Sequence, residues 1–218
     1  MVEYLLAKQN VVGSNPISRS NKEILMIVKE NVLPANMFNY VKNRMTDIYF
    51  PWYISETSFG EKQEFYKYSF AHSVFNKDDG ANPSFMFDLL YSCLFIGLHS
   101  IGKELDQLYR IRTGLIPGVP SPYVNAPHVD YEVPHYNALL YFTTCDAPTV
   151  IYNETYDYNC DKPQLEYQQK FSEFTIKEKC DSVENKFCFF DGKYYHSSTM
   201  PADVPRRIIV NYNFTIKS

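Results

Sequence analysis

Two hydrophobic periods divide the chain. Between Phe85 and Gly102, Phe87, Leu90, Leu94, Leu98 and Ile101 recur at spacings of three and four. That spacing lines one face of a helix, and Asn82-Pro83-Ser84 is a helix-start signal just ahead of it. The pattern predicts a helix that backs a sheet. In "ANMFNYVKNRM" (35–45), Met37, Phe38, Val41 and Met45 also share a helical face. This shorter helix follows "KEILMIVKENVLP" (22–34), a β-like run that ends in a turn at Pro34.

Elsewhere the runs are short, aromatic and β-branched. "EFYKYSFAHSVF" (64–75) is the first, followed by "QLYRIRTGLIP" (107–117), "NALLYFTT" (137–144), "PTVIYNE" (148–154), "NKFCFFDGKYYHS" (185–197) and "PRRIIVNYNF" (205–214). Pro, Gly, Asp and Asn separate them. The stretch 155–184 is polar and less regular, with a short helix predicted in "LEYQQKFSEF". Several short strands with turn punctuation predict a mainly β chain with packing helices, closed into a sandwich or barrel. No repeat or low-complexity linker interrupts it. One domain over 1–218 is therefore expected, with strand-helix support at about 20–105 and a barrel core at about 106–216.

Composition agrees with that class. The chain has 218 residues, 45% apolar, with 19 Tyr and 16 Phe, enough for one filled core and weighted toward strands. A net charge of -4 argues against a nucleic-acid partner. The most apolar window, 85–102, carries Asp88 and His99 and reads as a buried helix, not a membrane span. "MVEYLLAKQN" lacks a basic leader with a signal-length apolar core. The five cysteines form no C-x-x-C pair and read as reduced thiols. A cytoplasmic protein without membrane contact is expected.

Some apparent motifs fall away. "GLHSIGKE" (97–104) matches a phosphate loop up to Lys103, but Glu104 replaces the metal-binding hydroxyl and no strand precedes it. The sequons at Asn153 and Asn213 carry no weight without a secretory signal. "APHVDYEVPH" (126–135) is more informative. Residues i and i+2 of a strand point the same way, so His128 and Asp130 can aim an imidazole and a carboxylate at one ion. A two-His-one-carboxylate iron(II) site needs a third ligand from another strand. His72 and His99 lie in aromatic or helical surroundings, and His135 falls beyond the turn. His196 follows the Asp191-Gly192 turn and precedes the last strand. On that strand Arg207, Ile209, Asn211 and Asn213 alternate onto one face, more polar than the other. Arg207, rather than Arg206, is expected to point inward.

The order H-x-D, then "NALLYF", then His196, then "RIIVNYNF" resembles the 2-oxoglutarate and iron(II)-dependent dioxygenases, most closely the prolyl-4-hydroxylase-like group. "EILMIVKENVLPANMFNYV" is similar to the strand-turn-helix that opens many such domains. The resemblance implies a double-stranded β-helix, a jelly-roll, cupin-like barrel with helices packed on one sheet. It implies His128, Asp130 and His196 as ligands of Fe(2+), and Arg207 on the distal carboxylate of 2-oxoglutarate. Tyr141 matches a position that often binds that same carboxylate, and Tyr123 is a looser candidate for the pocket wall. The expected chemistry is hydroxylation of a peptidyl (including prolyl) or small-molecule substrate. O2 and 2-oxoglutarate are consumed, succinate and CO2 are released, and ascorbate supports turnover. Two features depart from the family pattern. "CDAPTVIYNE" stands where relatives often have a Gly-Gly or Gly-Asp turn, and arginine stands where many prolyl hydroxylases have lysine.

Two other classes stay open. One is a cupin-like barrel that binds a metal or small ligand without oxygen chemistry, which would not need an inward arginine. The other is a structural jelly roll with incidental His and Asp, in which the three ligands would not converge. Trp52, in "FPWYISETSFG", reads as either a lid or a closure of the core.

Overall fold

The structure, a computed structural model, describes residues 26–56, 68–80, 82–159 and 168–217. Parts of three expected elements, at 22–25, 64–67 and 165–167, fall outside the described residues. In chain order the elements are β1 (Met26–Lys29), α1 (Ala35–Thr46), β2 (Tyr53–Glu56), β3 (Tyr68–Asn76), α2 (Phe87–Ser100), β4 (Leu105–Pro117), β5 (Tyr123–Val124) and β6 (Tyr136–Tyr141). Then follow β7 (Cys145–Thr155), a 3-10 turn (Gln168–Glu173), β8 (Ile176–Ser182), β9 (Phe187–Asp191), β10 (Tyr194–Ser197), β11 (Thr199–Met200) and β12 (Arg206–Ile216).

Seven strands form one antiparallel sheet in the order β1-β9-β6-β12-β4-β3-β2, and β10-β7-β8 form a second. β11 and β5 make a short pair. The large sheet has two buried faces, and strict alternation divides them. Ile208, Val210, Tyr212 and Phe214 of β12, with Phe187 and Phe189 of β9, pack against Val41, Met45, Leu90, Leu94 and Leu98 of the helices. The intervening residues point the other way. Leu139, Tyr141, Cys188 and Phe190 meet Ile151, Cys180 and Tyr194 of the second sheet. The result is a jelly roll with both helices on the outer face of its larger sheet. Each fully buried Leu of α2 contributes about 1.5–3 kcal/mol by leaving water. Gly97 faces Phe187 so closely that a Cβ there would overlap the ring. A small residue is thus what lets α2 lie against β9.

The two longer expected helices are present, and within "LEYQQKFSEF" Gln168–Glu173 forms the short 3-10 turn, but the run 185–197 is not one strand. It breaks at Asp191-Gly192, where Asp191 Oδ1 accepts from Lys193 N at 3.0 Å. β9 stays in the large sheet and β10 crosses to the small one. The stretch 155–184 contains β8, a strand that the polar sequence concealed. Only Cys180 and Ser182 of β8 are buried, so most of "IKEKCDS" faces outward and carries little hydrophobic signal. Trp52 packs on Phe50, ring centroids 4.7 Å apart, and donates its indole N–H to the Met45 carbonyl at 3.2 Å. It closes the helix-side core. His72 is likewise a packing residue, held by Ser84 Oγ at 2.7 Å and the Pro51 carbonyl at 3.1 Å.

Gly97→Ala tests the helix-sheet approach. Overpacking against Phe187 should destabilise the fold by about 1–3 kcal/mol, read as a lower urea midpoint. An unchanged midpoint would contradict the close approach.

Candidate metal centre and cleft

His128 and His196 are joined through their backbones. His128 N donates to the His196 carbonyl at 3.0 Å, and His196 N donates to the His128 carbonyl at 2.9 Å. This reciprocal pair, outside the longer ladders, sets the two imidazoles side by side with ring centroids 4.6 Å apart. Each ring is oriented in the same way. Nδ1 of His128 faces the Ala126 carbonyl and Nδ1 of His196 faces the Tyr194 carbonyl, both at 3.3 Å. A proton on Nδ1 satisfies each contact and leaves each Nε2 lone pair free. Asp130, two residues after His128, turns its carboxylate to the same point. Ligand atoms of His128, Asp130 and His196 all lie within 4.8 Å of one another.

The carboxylate is fixed from behind. Arg110 of β4 donates Nη2–H to Asp130 Oδ1 at 2.5 Å. Asn211 and Asn213 of β12 donate to Oδ2 at 3.1 and 3.0 Å. Arg110 also reaches Asn213 Oδ1 at 2.9 Å, so cation and amides form one bracket. Burial alone would raise the Asp130 pKa, but Arg110, then His196 and His128, outweigh it and hold the group well below the usual carboxylate range. Burial, reinforced by His196, pushes His128 down to about 4. At neutral pH the centre therefore offers a neutral imidazole beside an ionised carboxylate, the protonation states a metal requires.

The three residues line a cleft of about 380 Å³ with Arg112, Thr149 and Met200 among the other walls. Arg207 lies beneath it, fully buried. Its Nη2 donates to Thr149 Oγ1 at 2.9 Å, and its guanidinium stands 5.4 Å from the Tyr141 ring centroid. Tyr141 donates its hydroxyl to Thr149 Oγ1 at 2.8 Å. No carboxylate pairs with Arg207 among the described residues, and its other contacts are long: Ser182 Oγ at 3.4 Å and the Thr199 carbonyl at 3.5 Å. An arginine buried without an acid is costly unless an anion reaches it. Arg206, by contrast, is exposed.

Thus His128, Asp130 and His196 converge, with Arg207 and Tyr141 one layer below. Tyr123 stands apart. It pairs with Met200 in the β5-β11 ladder, and Met200, Asn125 and Ala126 line the cleft while Tyr123 does not. His135 is a packing residue, buried against Gly192 of the β9-β10 turn. Sequence reasoning missed Arg110 and Arg112. Their signal lay in β4, where Arg110 and Arg112 alternate with the apolar or small residues Ile111 and Thr113. Such polar alternation on a central strand marks the face of a site.

Neither a protein-family profile nor a curated protein sequence matches the chain. Solved structures do match it in fold. A 2OG-Fe(II) oxygenase family oxidoreductase from Burkholderia pseudomallei superposes with a TM-score of 0.58 at 8% identity, over 88% of this chain and 86% of that one. A prolyl hydroxylase from Trichoplax adhaerens, in complex with a hypoxia inducible factor peptide fragment, gives 0.53 at 14% identity, over 87% and 83%. The epimerase SnoN from nogalamycin biosynthesis, in complex with Fe3+, alpha ketoglutarate and nogalamycin RO, gives 0.55 at 11% identity, over 87% and 78%. The fold is the jelly roll of the 2-oxoglutarate and iron(II) oxygenases.

The depressed His128 pKa carries a stability signature. Below the ordinary value of 6.5 the unfolded chain takes up a proton that folded His128 refuses until about pH 4. The metal-free protein should lose stability as pH falls through that window, and His128→Gln should flatten the loss. Urea midpoints measured between those limits check it, and an equal slope in the variant would count against the desolvation of the His128 ring.

Proposed function

We propose that this protein is an iron(II)- and 2-oxoglutarate-dependent oxygenase that hydroxylates a peptidyl or small-molecule substrate. The observation that carries the reading is a pairing. Two Nε2 lone pairs and one fixed carboxylate meet at one point, and a buried arginine without an acid lies beneath the same cleft. His128, Asp130 and His196 would hold iron(II), the donor set that leaves one face of the ion free. Bound there, iron(II) with 2-oxoglutarate and O2 supplies the oxidising power for attack on a C–H bond, with release of succinate and CO2.

The chain's own groups do the rest. Arg110, Asn211 and Asn213 keep the Asp130 carboxylate turned to the centre. The Ala126 and Tyr194 carbonyls keep both imidazoles in the ligating tautomer. Arg207 would receive the distal carboxylate of 2-oxoglutarate, with the Thr149 and Tyr141 hydroxyls beside it. Burial raises the Tyr141 pKa well above its ordinary value, so its hydroxyl keeps its proton and can donate. A metal-binding barrel without oxygen chemistry has no use for the buried Arg207, and a structural jelly roll has no reason to converge three ligands. The cytoplasmic setting is part of this proposal, with Cys93, Cys145, Cys180 and Cys188 as free thiols. Among the described residues no helix is long and apolar enough to cross a membrane.

Succinate release from 2-oxoglutarate, with iron(II) and ascorbate, is the direct test. Asp130→Ala should abolish it, and full turnover in that variant would sink the assignment. Arg207→Gln should weaken 2-oxoglutarate binding to the manganese-loaded protein by about 10–100-fold, the scale of losing a charge-assisted pair. Calorimetry reads that loss, and an unchanged affinity would remove Arg207 from the co-substrate site.

A further inference from the structure

The cleft face of β4 carries two arginines, and only one is matched by an acid. Arg110 is engaged by Asp130. Arg112, two residues on, lies opposite Asn211 of β12 and Ser73 of β3 in the ladders. It lines the cleft, and its Nη2 donates to Ser55 Oγ at 3.0 Å. No carboxylate lies in ion-pair contact with it among the described residues. A guanidinium has five N–H donors in a planar fork, so most of this one remains to be used.

Arg112 sits along the sheet from Arg207, the arginine assigned to 2-oxoglutarate. Its row on β12 is Asn211, four residues from Arg207, which corresponds to roughly 13 Å along a strand. That is longer than 2-oxoglutarate itself. Charge accounting points the same way. Arg110 is engaged by Asp130, and the distal carboxylate of 2-oxoglutarate would answer Arg207. Arg207 is buried beneath the floor, toward the co-substrate. Among the described residues the charged side chains that line the cleft are Arg110, Arg112 and Asp130, and Arg112 is the one not in ion-pair contact. Burial and the neighbouring Arg110 disfavour its cation more than the Asp130 charge favours it, an expense that an arriving anion would offset.

We propose that the primary substrate carries a carboxylate, which docks on Arg112 and the Ser55 hydroxyl while the carbon to be oxidised faces His128, Asp130 and His196. This inference rests on the oxygenase reading for its choice of primary substrate. One arginine with one hydroxyl suits a single planar monoanion held by a forked pair. The carboxylate can belong to a free acid or to an acidic side chain in a peptide. Arg112 is then a specificity-determining residue, acting on binding of the primary substrate rather than on the metal or 2-oxoglutarate.

The test uses the full chain loaded with zinc(II), which is redox-inert and suits ligand-observed NMR. The probes are N-acetylated amino acids as free acids and as primary amides, and capped Gly-Glu-Gly against capped Gly-Gln-Gly. With 2-oxoglutarate present, the acid of at least one pair should bind the wild type at least about tenfold more tightly than its neutral partner, equivalent to about 1.4 kcal/mol. A preference in the first series identifies a free acid, and one in the second an acidic side chain. R112Q should erase the preference and R112K should keep part of it. Acids and neutral partners binding alike, no acid binding at all, or a preference that survives R112Q would each overturn the proposal. R112Q should still bind 2-oxoglutarate within about threefold of wild type, unlike Arg207→Gln, which shows that the variant is folded. If the wild type fails to bind 2-oxoglutarate yet shows an acid preference that R112Q erases, the oxygenase reading fails and the anion site stands.

Discussion

The two backbone hydrogen bonds between His128 and His196 are the constraint on which the rest of the site depends. They tie the segment after β5 to β10, which belongs to the smaller sheet. Without them His128 would ride on a loop independent of β10, the strand that carries His196, and no arrangement of Asp130 would make a three-point centre. Backbone bonds suit this task because they fix relative position without consuming side-chain atoms. The imidazoles remain free to use Nδ1 for orientation and Nε2 for a ligand.

A second requirement is that the carboxylate stay charged in a buried place. Burial opposes ionisation, and one aspartate between two histidines would not by itself choose an orientation. Arg110 and the two asparagines solve both problems from neighbouring strands. Their register is what makes it possible: Asn213 pairs with Arg110, and Asn211 with Arg112, across β12 and β4. The sheet thus has two separate jobs on its two faces. Even-numbered residues of β12 from Ile208 to Phe214 pack beneath the helices, and odd-numbered ones from Arg207 to Asn213 build the cleft.

Much of this was legible in the sequence, and the parts that were not share a cause. The helices, the last strand and its inward Arg207 came from periodicity, because one amphipathic face leaves a period that can be read locally. The pairing of His128 with His196 was suggested only by their order in the chain and a family resemblance. β8 was missed because its outward face is polar and only Cys180 and Ser182 are buried. The resemblance offers Tyr123 for the pocket wall, whereas it is Met200, its ladder partner, that lines the cleft.

The sequence by itself determined which residues could share a face: Arg207 with Asn211 and Asn213, and Arg110 with Arg112. Those relations follow from the two-residue repeat of a strand, a property of the local backbone. Only the tertiary structure decided which faces meet. Arg110 and Asp130 are 20 residues apart, and Asp130 and Asn213 are 83 apart. Whether they touch is set by strand order and register, which depend on how the whole core packs. The same holds for the charge left over. That Asp130 takes its place beside Arg110, and that among the described residues no acid pairs with Arg112, cannot be read from "YRIRT", where both arginines look alike.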